Sequence, residues 1–143
     1  MSEIVFRRRF RRKMEEHSIV TFPVESHDTC PGIPDIHYQC GFFSGWVELK
    51  EIESIKNKIP YRPHQAEWLQ DYSDRGGLAF TVVHIKSTSS ILVIPGNLSK
   101  QAKRNINLIL GLCRHYNDDE KGWLEIAGLF CQLRHFPATK EQS

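Results

Sequence analysis

The chain has 143 residues, of which 40% are apolar and 25% charged, with a formal net charge of +2; that suits one soluble domain with its own core. No apolar run approaches the ~18–20 residues that span a bilayer, and the arginine-rich N-terminus lacks the apolar stretch of a secretory signal. The four cysteines, Cys30, Cys40, Cys113 and Cys131, show no Cys-x-x-Cys spacing and read as reduced thiols of a cytosolic protein.

Residues 3–17 are expected to form a helix, because Phe6, Phe10 and Met14 recur at i, i+4, i+8 as one apolar stripe. Its flanks carry RRRFRRK (7–13), six basic side chains in seven positions, a pattern that marks either a solvated face or an attraction to phosphate. IVTFPV (19–24) reads as a first strand and IPDIHY (33–38) as a second. The glycines of CGFFSG make a hairpin-like turn into a third strand, WVELKEI (46–52). Pro63 opens a helix, HQAEWLQDYSD, that stops at Gly76-Gly77. LAFTVVHI (78–85) and SILVIPG (90–96) are strands, the former apolar enough to be buried on both faces. Two helices, 98–116 with Ser99 as its cap and 121–136, are expected to close the chain. The order predicts an α/β fold with a mixed central β-sheet flanked by helices. We expect a single domain over 1–143, with a core of about 3–96 and a C-terminal helical extension of about 97–137.

The third strand holds the chemistry. Successive strand side chains alternate between faces, so Val47 and Leu49 are expected in the core while Glu48 and Lys50 lie side by side on the other face. A buried carboxylate or ammonium is costly unless it has a partner or a task. Pairing of the second and third strands through the glycine turn brings Asp35 to Glu48. Two carboxylates so close repel each other unless a divalent cation lies between them. Hard oxygen ligands in this number suit Mg²⁺, with Mn²⁺ as a substitute, which keep waters and accept a substrate phosphate. Such a cation polarises a phosphodiester and lowers the pKa of a bound water, while the lysine orients that water or offsets charge on the phosphate oxygens.

Pro34-Asp35, twelve intervening residues and Glu48-Leu49-Lys50 resemble the PD-(D/E)XK nuclease signature. Gly32-Ile33-Pro34-Asp35, WVELK and RPHQAEWLQDYSDRGG before an apolar strand look like the VRR-NUC and Holliday-junction-resolvase branches, over roughly residues 3–86. The resemblance implies a restriction-endonuclease-like core. It implies Asp35 and Glu48 as metal ligands, the Leu49 carbonyl as a third, Lys50 as catalytic lysine and Gln65 as the helix glutamine beside the site. It also implies an acidic residue on the first helix, for which Glu3 is at about the right distance and Glu15 and Glu16 are the other candidates. The implied activity is Mg²⁺-dependent hydrolysis of DNA, structure-selective on branched DNA, by a compact bacterial or phage-encoded enzyme acting as a homodimer. Arg8, Arg9, Arg11, Arg12, Lys13 and His64 are then candidate DNA contacts. The alternatives are a sequence-selective endonuclease of restriction or homing type, and a binding module that keeps the fold without catalysis; a solvated Glu48–Lys50 ion pair is the plain structural reading.

The remaining signals have simpler readings. Cys113-x-His115 and Cys131-x-x-x-His135 carry zinc-type ligands, but their helical periodicity makes buried thiols the better account. Cys30, His37 and Cys40 flank the turn at Asp35 without an ordinary zinc spacing. The stripes Phe6-Phe10-Met14 and Trp123, Leu124, Phe130, Leu133 are the expected apolar surfaces for a subunit contact, the latter favoured.

Overall fold

A computed structural model of the chain describes residues 3–24 and 31–131. Its elements are α1 (Glu3–Glu16), β1 (Val20–Pro23), β2 (Ile36–Cys40), β3 (Phe43–Ile52), α2 (Gln65–Asp74), β4 (Ala79–Ile85), β5 (Ser90–Pro95), α3 (Ser99–Arg104), β6 (Arg114–Asn117) and α4 (Glu120–Phe130). The strands form one six-stranded sheet in sequential order. All neighbours are antiparallel except β3 and β4, which are parallel. The α/β architecture with a mixed sheet is as the sequence predicts.

Each face of the sheet carries its own core. On one side α1 and α4 bury Phe6, Phe10, Met14, Trp123, Ile126 and Phe130 against Ile36, Tyr38, Val47, Leu49 and Val82. On the other, Ile52, Val83, Ile85, Leu92 and Ile94 are covered by Ile59, Ala102, Ile106 and Ile109. The two-residue period of β3 decides which side chains go where. Val47 and Leu49 join the α1–α4 core, and Glu48 and Lys50 face the α2 side.

Four expectations are corrected. The second strand begins only at Ile36, and Gly32–Asp35 forms the turn ahead of it. Gly32 has φ +86°, and a Cβ there would collide with the His64 carbonyl, so the glycine is required on both counts. The predicted helix over 98–116 exists only as α3; two 3₁₀ turns at 106–108 and 110–112 follow, and then β6 pairs with β5. Asn105 ends α3 with extended backbone, and its side chain accepts the Asn107 N–H instead, the local competition that makes asparagine a poor helix-interior residue. Ser99 is the first residue of α3 and makes no capping hydrogen bond.

The cysteines are the third correction. Cys40 and Cys131 form a disulfide across 91 positions of sequence, because the end of β2 and the end of α4 meet beside the first core. Cys113 is a free, half-buried thiol, which burial pushes up to about 12; Cys30 lies outside the described residues. The fourth concerns the apolar stripes. Phe6, Phe10 and Met14 are fully buried within the chain, as are Trp123 and Phe130, and only Leu124 is exposed. Phe6, Phe10, Met14, Trp123 and Phe130 are consumed by packing α1 and α4 on the sheet and are not free for a subunit contact. Leu133 and His135 lie outside the described residues.

Candidate active site

β3 outruns β2. Ile36 pairs with Val47, so from Glu48 onward the β2-side edge of β3 has no strand beside it. Asp35 fills the first position of that gap. Its backbone N–H donates to Glu48 Oε1 at 3.2 Å, and its Oδ2 accepts the Leu49 N–H at 3.4 Å. The N–H and C=O of a strand residue point to the same side, so the Leu49 carbonyl opens on the same gap.

The second carboxylate is held from three directions. Glu48 Oε2 accepts from Gln65 Nε2 at 2.8 Å and lies 3.2 Å from Lys50 Nζ. Gln65, first residue of α2, is itself fixed, because its Oε1 accepts the Arg62 N–H at 2.8 Å. Glu48, Lys50 and Gln65 are each 3% exposed or less, and Asp35 6%. Burial and the adjacent Asp35 carboxylate push Glu48 up to about 8, with Lys50 pulling the other way. Burial and the neighbouring acid thus both oppose the charge on Glu48.

Two arginines approach Asp35 from outside. Arg7 of α1 and Arg62 of the loop before α2 each place a guanidinium nitrogen 3.7–3.8 Å from Asp35 Oδ1. Neither stands out in the sequence: Arg7 is one of a run of basic residues, and the only cue for Arg62 is its position just ahead of Pro63-His64-Gln65.

Other candidates separate by position. Glu3 is half-buried one turn ahead of Arg7 and makes no hydrogen bond or ion pair with Asp35 or Glu48; Glu15 and Glu16 are exposed at the opposite end of α1. Within the basic run, Arg9 bonds Asp118 at 2.6 Å, Arg11 bonds the Thr21 hydroxyl at 3.0 Å and Lys13 bonds Glu120. Arg8 and Arg12 are exposed, as is His64, which precedes α2 with φ 73°. Asp118 in turn accepts from Trp123 Nε1 at 2.8 Å and lies 3.5 Å from His84 Nε2, whose other nitrogen is 2.8 Å from Glu51. That network ties α1, α4, β3, β4 and the end of β6 together on the face away from Glu48.

Two carboxylates and a strand carbonyl at one gap are hard oxygen donors and fit Mg²⁺ or Mn²⁺. Among the described residues, no three His, Cys, Asp or Glu side chains converge on one point. A cation here would complete its shell with backbone, water and substrate oxygens, which is the habit of Mg²⁺.

No family model matches the sequence, and no curated protein matches it. The fold is similar to that of Hjc, a Holliday junction resolvase from the hyperthermophilic archaeon Archaeoglobus fulgidus. The TM-score is 0.53 at 15% identity, over 66% of this chain and 78% of that one.

Proposed function

We propose that the chain is a Mg²⁺-dependent DNA endonuclease acting at Asp35 and Glu48. The observation that carries this reading is the closed contact set Asp35–Glu48–Lys50–Gln65, buried yet placed where β3 runs free of β2. A structural ion pair needs only Glu48 and Lys50. It does not call for a second buried carboxylate beside the first, whose backbone N–H bonds Glu48 and whose charge raises the cost. The likeness of fold to a Holliday junction resolvase supports the same reading and suggests branched DNA as the substrate.

Asp35, Glu48 and the Leu49 carbonyl would hold the cation. When bound, it supplies Lewis-acid polarisation of the phosphate and a more acidic water. Lys50 Nζ offers positive charge to the non-bridging oxygens as they gain charge, at a site too dry to screen it. Gln65 is a positioning residue that keeps Glu48 Oε2 turned toward Lys50. Arg62, half-exposed at the rim, exchanges Asp35 for a phosphate oxygen as DNA arrives, while Arg7 stays beside Asp35. His64 and the exposed Arg8 and Arg12 are the further phosphate contacts.

Resolving a junction takes two symmetric cuts, and a domain of this size carries one such centre. We therefore propose a twofold homodimer, with its contact on surfaces other than the buried residues of the α1 and α4 stripes. Incubation with Mg²⁺ and supercoiled, linear or four-way-junction DNA tests the reading. Paired cuts near the branch point, with light scattering at twice the 16.6 kDa chain mass, are expected. Cuts at one duplex sequence would favour a restriction-type enzyme, and binding without cutting a non-catalytic module.

A further inference from the structure

The carboxylates occupy only part of the α2-side face. Along β2 and β3, two residues away, the register sets Phe22, His37 and Trp46 in one row across three strands: Phe22 pairs with His37, and His37 with Trp46. Their ring centroids are 6.3 and 4.8 Å apart. Trp68 of α2 meets Trp46 edge-on at 5.6 Å, and Tyr72 lies on Trp68 at 5.0 Å with planes 9° apart. Five rings thus run without a break from the sheet edge to α2.

This row is not core. Phe22 is 46% and Tyr72 36% exposed, and His37, Trp46 and Trp68 are half-exposed. The core aromatics Phe6, Phe10, Trp123 and Phe130 are buried on the opposite face. Asp35 precedes His37 by two residues and Glu48 follows Trp46 by two, so strand geometry sets the ring row and the carboxylate row about 7 Å apart.

A groove joins them. A cavity of about 490 Å³ lined by Pro31, His64, Trp68 and Lys100 adjoins one of about 230 Å³ lined by Pro31, Arg62, His64 and Gln65, and Gln65 is the partner of Glu48. The carboxylates at its rim are already matched: Glu67 with Lys103 at 3.0 Å and Asp71 with Arg75 at 3.1 Å. Along the groove Trp68 offers ring surface beside His64 and Lys100, and Arg62 carries a half-exposed guanidinium 3.8 Å from Asp35, a set that complements a base with its phosphate.

We propose that this row is a stacking platform for unpaired nucleobases, holding a nucleotide out of its duplex next to the phosphate at Asp35 and Glu48. The placement of that phosphate rests on the nuclease reading; the platform rests on the rings. Bases stack on aromatic faces with little regard to sequence. A base inside a duplex has both faces covered by its neighbours, so the row selects DNA with unpaired nucleotides, as at a branch or a flap.

The test is equilibrium binding without divalent cation, so that nothing is cut. The probes are a linear duplex with a short thymine flap and the same duplex with an abasic flap, each titrated with the wild type, Trp68→Phe and Trp68→Leu. The wild type should bind the thymine flap roughly 5- to 100-fold tighter than the abasic one. Trp68→Leu should lose most of that preference without weakening on the abasic flap, and Trp68→Phe should keep much of it. A wild type indifferent to flap bases overturns the platform, and so does a Trp68→Leu loss equal on both probes. A shift of Trp68→Leu from dimer to monomer in light scattering would assign the rings to a subunit contact and also overturns it. Base-dependent binding by a protein that cuts no DNA would keep the platform and remove the nuclease.

Discussion

Gln65 spans the junction between α2 and β3 by donating to Glu48 Oε2 while accepting the Arg62 N–H, both at 2.8 Å. Neither end of the amide is free to turn. Outer partners of metal-binding side chains typically affect metal affinity or activity by 10–100-fold. Gln65→Ala should therefore lower cleavage by about 10–100-fold at limiting Mg²⁺, with partial recovery at saturating Mg²⁺. A loss unchanged by added cation, with thermal unfolding lowered to match, would make Gln65 only a packing residue.

Asp118 joins Arg9, Trp123 and His84. Burial opposes its charge, but the hydrogen bonds from Arg9 and Trp123 outweigh burial and hold it below the ordinary aspartate value of 3.8. The folded pKa is the lower one, so the contribution is present above that value and is lost as pH falls through the folded pKa. Asp118→Asn should cost about 2–3 kcal/mol at pH 7, and the gap to wild type should shrink toward pH 3. Denaturant unfolding at several pH values measures it; a gap independent of pH contradicts the assignment.

The Cys40–Cys131 disulfide closes a loop of 91 positions. Cross-links over loops of that length stabilise by roughly 2–5 kcal/mol. Reductant should lower the melting temperature of the wild type and leave Cys40→Ser unaffected. Identical melting with and without reductant would restore the reduced-thiol expectation.

Of the basic run on α1, only Arg8 and Arg12 are exposed. Each phosphate contact on a duplex adds about 0.9 to the slope of log affinity against log salt. The double change Arg8→Gln with Arg12→Gln should lower that slope by about 2. An unchanged slope makes the outer face of α1 merely solvated.

What could be read in the sequence follows local rules. Glu48 and Lys50 share a face because strands have a two-residue period, and Asp35 reaches them because the Gly41 turn returns β2 beside β3. What could not be read depends on packing between distant segments. Ile106, Ile109 and Cys113 imitate a helical stripe, yet pairing of β6 with β5 overrides that propensity, and Asn105 was the available cue. Arg7 and Arg62 reach Asp35 only through the placement of α1 and of the loop before α2. The disulfide depends on where α4 ends. Trp46 and Trp68 lie in separate elements, so their shared row appears only once α2 is docked.

The most direct measurement is single-turnover cleavage of a four-way junction in Mg²⁺ by the wild type, Asp35→Asn and Lys50→Ala, with junction binding measured in parallel. Removing Lys50 removes charge stabilisation of the transition state, and one such group is worth on the order of 10²–10³ in rate. Removing the Asp35 charge weakens the cation site while relieving the repulsion on Glu48. The expected result is Mg²⁺-dependent cutting by the wild type, none by Asp35→Asn, a loss of about 10²–10³-fold in Lys50→Ala, and junction binding retained by both. Cutting that survives Asp35→Asn, or a wild type that binds junctions and never cuts them, would contradict the account.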